Sequence, residues 1–227
     1  LTVAQGDPRI LVGVVDSGVA AVADLRGKIA ATLWDPNRNV SAADRIGHGT
    51  FVSSIIAARN DDGVGLGGFC GACRVAVFKA IPLDDVQLAL GIQKLTDARV
   101  RVINLSVVAE TPSQAVVDAL AYAQRKGVLV VAASGNEGSG TIDFPASALQ
   151  PPNGELVPAL TVGAVNAANE RAPYSNFGPQ LSLVAPGSLD ARCSVGIIGA
   201  LPAVAVDFES GTACQALLAP IGGNRYA

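Results

Sequence analysis

The run Ile10-Leu11-Val12-Gly13-Val14-Val15 followed by Asp16-Ser17-Gly18 decides the fold class. Six apolar residues, three of them valine, are too few for a buried helix and suit a strand covered on both faces. Similar runs recur at Val75 to Phe78, Val100 to Leu105, Leu129 to Ala133 and Leu160 to Val165. Between them lie stretches with helical spacing: Val52, Ile55 and Ile56, then Leu88, Ile92 and Leu95, then Val116, Leu120 and Ala123 closed by Gly127. Strands alternating with helices predict right-handed crossovers and one α/β domain with a mostly parallel sheet, followed by a loop-rich tail after about Pro186.

Composition narrows the function classes. The 227 residues are 50% hydrophobic, 15% charged and 4% aromatic, with 25 Gly and no Met. Such a chain buries a core rather than staying disordered. Sixteen Lys and Arg against 19 Asp and Glu give a net charge of -3, with no basic run to neutralise phosphates, so nucleic acid is not an expected partner. Charged residues, Gly or Pro interrupt every apolar stretch before a membrane span is reached. Four cysteines permit two bridges. Cys70 and Cys73 could form a tight clip, remain thiols, or serve redox or zinc chemistry, though no second close Cys pair exists and His48 is the only histidine. Cys193 and Cys214 would staple the Gly- and Ala-rich stretch between them. Export is inferred only indirectly.

Ligands of parallel sheets gather beyond the carboxyl ends of the strands, and three signals stand there. Asp16 follows the first strand; read alone, it is also a common turn cap. His48 lies between Gly47 and Gly49 at the head of a helical segment, where small neighbours let a peptide approach an imidazole. Asn136, in Ser134-Gly135-Asn136-Glu137-Gly138, is either a turn residue or an amide donor aimed at a developing oxyanion.

With these residues in this order, the sequence resembles the subtilisin-like serine proteases. The resemblance spans Val14 to Gly18, Gly47 to Thr50, Val102-Ile103-Asn104-Leu105-Ser106, Val130 to Gly138 and Phe144-Pro145-Ala146. It continues through Val162-Gly163-Ala164-Val165, Tyr174-Ser175-Asn176-Phe177-Gly178 and Val184-Ala185-Pro186-Gly187. It implies a three-layer fold, its central sheet covered by helices on both faces, and an Asp, His, Ser triad. Asp16 would orient the imidazole, His48 would be the general base and then acid, and Asn136 would donate to the oxyanion. Ser106, Val107 and Val108 would pair with an extended substrate as an added strand, with Ser134 and Gly135 across the cleft. The family has Gly where Val108 stands, so the S1 side is expected to be crowded.

A second departure concerns the nucleophile. The family's Gly-Thr-Ser motif is not found; the nearest string, Ser210-Gly211-Thr212-Ala213-Cys214, has Ala213 where the serine belongs. Either the nucleophile was lost at Ala213, or the motif lies beyond Ala227 and residues 187–223 are a loop-rich insertion in a single domain, 1–227, lacking its serine helix. The chain by itself is then expected to be inactive. Catalysis needs no cofactor on this reading. By resemblance, Asp24 and Asn60-Asp61-Asp62-Gly63 fall near a structural calcium site, with a solvated turn as the alternative. The expected role is a secreted or extracytoplasmic endopeptidase acting on extended peptide or protein substrates, with a propeptide or inhibitor as a further partner. The rivals are a catalytically dead peptide-binding module and one piece of a split protease.

Overall fold

The computed structural model describes residues 5–38, 41–109, 111–149, 158–187, 197–202 and 225–226. Seven strands form one sheet: β1 (Leu11–Asp16), β2 (Ile29–Leu33), β3 (Arg74–Lys79), β4 (Val102–Leu105), β5 (Leu129–Ala133), β6 (Ala159–Val165) and β7 (Leu183–Pro186). Their order is β2-β3-β1-β4-β5-β6-β7, and every pairing is parallel. Among the described residues, three α-helices, α1 (His48–Ala57), α2 (Asp85–Asp97) and α3 (Gln114–Arg125), cover it. A separate antiparallel pair joins β8 (Ala200–Leu201) to β9 (Arg225–Tyr226).

Strand alternation builds the two cores. Val12 and Val14 of β1, with Val75 and Val77 of β3, face α1 through Ala57, Val52 and Ile56. Val15, Ala76 and Phe78 point the other way, into a larger core with Leu88, Ile92 and Leu95 of α2 and Val116 and Leu120 of α3. The expected three-layer α/β architecture is therefore observed. Burial on both faces explains why β1 and β3 read as unbroken apolar runs. The edges read differently: β2 is half-buried throughout, and in β7 Leu183 and Val184 are exposed.

Helix ends follow local chemistry. Asp84 caps α2 by accepting from Gln87 N at 2.8 Å, and α3 ends two residues before Gly127, whose φ of 74° turns the chain out of the helix. Cys70 and Cys73 lie at disulfide distance, their Cα atoms 5.2 Å apart, beside the start of β3. The proposed Cys193 to Cys214 staple, Ala213 and most of the 187–223 insertion lie outside the described residues.

Candidate active site

Because every strand of the sheet runs the same way, β1, β4 and β5, which are neighbours in the sheet, deliver their following residues to one edge. Asp16 ends β1, Ser106 follows β4, and Ser134, Gly135 and Asn136 follow β5. The residues expected to act together thus share an edge.

His48 is the first residue of α1, and its Nδ1 lies 2.8 Å and 2.9 Å from the two carboxylate oxygens of Asp16. A carboxylate only accepts, so Nδ1 carries the proton and Nε2 is left with its lone pair. Asp16 is buried, its side chain 1% exposed, while that of His48 is 45% exposed. One partner is fixed in the protein and the other faces solvent. Burial is the largest single influence on His48 and disfavours its cation. The hydrogen bond and charge of Asp16, joined by the charge of Asp44, outweigh it, so the pKa is raised above 6.5.

Gly49 makes this approach possible. A Cβ there would stand 2.1 Å from Gly18 O and 3.1 Å from the Asp16 Cβ. Its amide instead donates to Ser17 Oγ at 2.9 Å. Ser17 Oγ in turn donates to buried Asp44 Oδ1 at 2.9 Å. Asp44 also accepts from Ile46 N, Gly47 N, Thr50 N and Thr50 Oγ1 at 2.6 to 3.1 Å. Gly47, at the N-cap, has no side chain to satisfy the free amides of α1, and Asp44 does so from three residues upstream.

Ser106, Val107 and Val108 lie past the paired part of β4, and among the described residues their backbone makes no hydrogen bond outside the sheet ladder. The segment is anchored at both ends: Asn104 Nδ2 donates to Ser106 Oγ at 2.9 Å, and Ala109 N to Phe144 O at 2.9 Å. Val108 is 37% exposed. Main-chain groups are available here for an added strand.

After β5, Ser134 is buried and Gly135 has φ of 111°. A Cβ on Gly135 would stand 2.1 Å from Asp143 Oδ2 and 2.2 Å from Asn176 Nδ2. Asn136 is exposed, and its side chain has no hydrogen-bond partner among the described residues; its amide N donates to Glu137 Oε2 at 2.9 Å. Asp143 lies against Glu137. Burial first, and then that neighbouring carboxylate, push the Asp143 pKa up to about 6, while Glu137 is held below its ordinary value. At acid pH Asp143 keeps its proton beside the ionised Glu137, and both ionise only as pH rises past about 6.

The calcium expectation is not supported by a converging donor set. Asp24 Oδ1 accepts from Leu66 N at 2.6 Å, Asp61 from Gln5 Nε2 at 3.0 Å, and Asp62 lies 3.5 Å from Arg59 Nε. The buried Asn60 Oδ1 accepts no hydrogen bond, but among the described residues no three His, Cys, Asp or Glu side chains stand together as a metal would need.

Ser17, Asp44, Glu137, Asp143 and Asn176 were not singled out as site residues by the sequence reading. Asp44 had a legible signal, an acidic residue just upstream of a helix start.

Comparison with known proteins identifies the family. The sequence matches the Subtilase family over residues 7–215. The chain belongs to the subtilase family. It is 37% identical over 185 residues to the cell wall-associated protease of Bacillus subtilis (strain 168), covering 78% of this chain and 20% of that protein. It is 34% identical over 184 residues to subtilisin Savinase of Lederbergia lenta, covering 78% of this chain and 64% of that protein. The chain therefore spans less than two thirds of these relatives. Among solved structures, the prenylagaramide maturation protease PagA superposes with a TM-score of 0.68 at 26% identity, covering 87% of this chain and 67% of that one. A serine-to-alanine mutant of the protease domain of PatA gives 0.70 at 26%, covering 89% and 73%. Among the described residues, no helix is long and apolar enough to cross a membrane.

Proposed function

We propose that this chain is the part of a subtilisin-type serine endopeptidase that supplies the base, the oxyanion donor and the substrate groove. The observation carrying the proposal is the buried Asp16 carboxylate holding half-exposed His48 through Nδ1. In this reading His48 Nε2 takes the proton of a serine hydroxyl as its oxygen attacks a peptide carbonyl. The negative charge formed on the carbonyl oxygen accepts a hydrogen bond from the Asn136 amide. The C–N bond then breaks as His48 returns the proton to the leaving amine, and a water, deprotonated by His48, releases the acyl group. The substrate lies extended along Ser106, Val107 and Val108, with Ser134 and Gly135 opposite. Calcium has no assigned part. Secretion is the companion proposal, since one named relative is associated with the cell wall.

A second reading is favoured by one residue. Ala213 falls inside the matched span where the family serine is expected, which supports a peptide-binding subtilase without turnover, or one dependent on a second chain. The test is fluorophosphonate labelling of the full-length gene product with intact mass, alongside its His48→Ala variant. Labelling of one serine that His48→Ala abolishes supports the endopeptidase. No labelling, with retained binding of an extended peptide, supports the second reading.

A further inference from the structure

Asn176 is fully buried, 40 residues downstream of Asn136. Its side chain serves the turn carrying Asn136 with every polar atom it has. Oδ1 accepts from Glu137 N at 3.0 Å and from Ser139 N at 2.9 Å. Nδ2 donates to Glu137 Oε2 at 2.9 Å, the same oxygen that accepts from Asn136 N. Its main chain completes the grip: Asn176 N donates to Gly135 O at 3.1 Å, and Asn176 O accepts from Ser134 Oγ at 3.2 Å. The flanking residues add Gly138 N to Tyr174 O at 2.6 Å and Phe177 N to Ser139 O at 2.9 Å.

The turn has no regular secondary structure, so these bonds, with Ser134 N to Val162 O and Asp143 N to Ser134 O, define its shape. An exposed amide donor at its tip is useful only if its backbone is held to a fraction of an ångström. We infer that Asn176 is a positioning residue that sets the Asn136 amide for oxyanion stabilisation through its hydrogen bonds to Glu137 and Ser139. The inference rests on the reading of Asn136 as oxyanion donor. Asparagine suits the position because both an acceptor and a donor are needed. Aspartate has the same shape but cannot donate to Glu137, and would set a third carboxyl beside Glu137 and Asp143.

The test is a double-mutant cycle in the full-length gene product with a chromogenic peptide, using Asn136→Ala, Asn176→Asp and the double variant. Each single change is expected to lower kcat by about 10²-fold with KM changed less than about threefold, and the double variant to be no slower than Asn136→Ala. An Asn176→Asp loss that multiplies with that of Asn136→Ala, or falls on KM alone, overturns the inference and leaves the reading of Asn136 intact. An unchanged kcat in Asn136→Ala overturns that reading and the inference with it. A readout free of turnover is amide hydrogen exchange in the unsubstituted protein. Glu137 and Ser139 are expected to be protected, while free-amide rates at both would overturn the inference even if Asn176→Asp fails to fold.

Discussion

Asp44 Oδ1 accepts the hydroxyl hydrogen of Ser17 at 2.9 Å across 27 residues of sequence, and this contact locks the exit of β1 to the head of α1. Asp16 immediately precedes Ser17, and Asp44 holds the amides of Gly47 and Thr50 on either side of His48. Asp44 and Ser17 thus fix two different backbones in a common frame.

Removing that frame has a definite expected effect. Asp44→Ala leaves Ser17 Oγ, Thr50 N and Gly47 N without their acceptor and is expected to destabilise the protein by about 3 kcal/mol or more. Asp44→Asn keeps one acceptor and removes a charge that raises the His48 pKa. In the folded fraction of that variant, the acid limb of a pH-rate profile should shift to lower pH. Urea denaturation and the pH profile check the two parts separately.

The His48 pKa also predicts a linkage. The folded-state value is raised, so the stabilisation of the cation is fully present below the unfolded value of about 6.5 and is lost as pH rises through the folded value. Asp16→Asn should abolish this part of the stability profile. Melting curves of the two proteins from pH 5 to pH 9 are expected to converge at the alkaline end with respect to this contribution. If the full-length gene product turns over as proposed, the same shift puts the acid limb of its pH-rate profile above pH 6.5.

Asp143 gives a linkage of the same sign in a more acid window. Its pKa of about 6 means that between roughly pH 4 and pH 6 the folded state binds more protons than the unfolded state, so stability falls as pH rises through that window. In an Asp143→Asn variant the side-chain amide would donate to Glu137 at every pH, as the protonated acid does only at low pH. The variant is expected to match the unsubstituted protein at about pH 4.5 and to melt about 2 °C higher at about pH 8.

Gly135→Ala combines two penalties. A φ of 111° is unfavourable for any Cβ, and this one would meet Asp143 Oδ2 and Asn176 Nδ2 inside bonding-contact range. A loss of at least about 2 kcal/mol is expected, with greater amide exchange at Glu137 and Ser139. Denaturation near neutral pH and exchange by mass spectrometry measure both.

The sequence made the middle of the sheet readable and its edges less so. β1, β3, β4, β5 and β6 are buried Val- and Ile-rich runs, and their observed bounds fall within two residues of those expected. β2, Ile29-Ala30-Ala31-Thr32-Leu33, is half-buried, alanine-rich and interrupted by Thr32, and β7, Leu183-Val184-Ala185-Pro186, is mostly exposed, short and ended by a proline, so neither stands out as a buried strand. In the site, Asp16, His48 and Asn136 were legible because chemistry-bearing residues at strand exits and between glycines are uncommon. Ser17, Asp44 and Asn176 were not, since Ser, Asp and Asn at turns look alike whether they bind solvent or hold a distant backbone. Their value lies in partners 27 to 42 residues away, which no local pattern encodes.

The grip of Asn176 on the Asn136 turn also orders events during synthesis. Once residues through Ala57 and β3 have left the ribosome, the groups that pair Asp16 with His48 are all present. The turn after β5 emerges later, and it lacks its clamp until β6 and residues 174–177 have followed. A nascent chain halted before Asn176 would hold the Asp16 and His48 pair while the turn after β5 still lacked the hydrogen bonds that shape it.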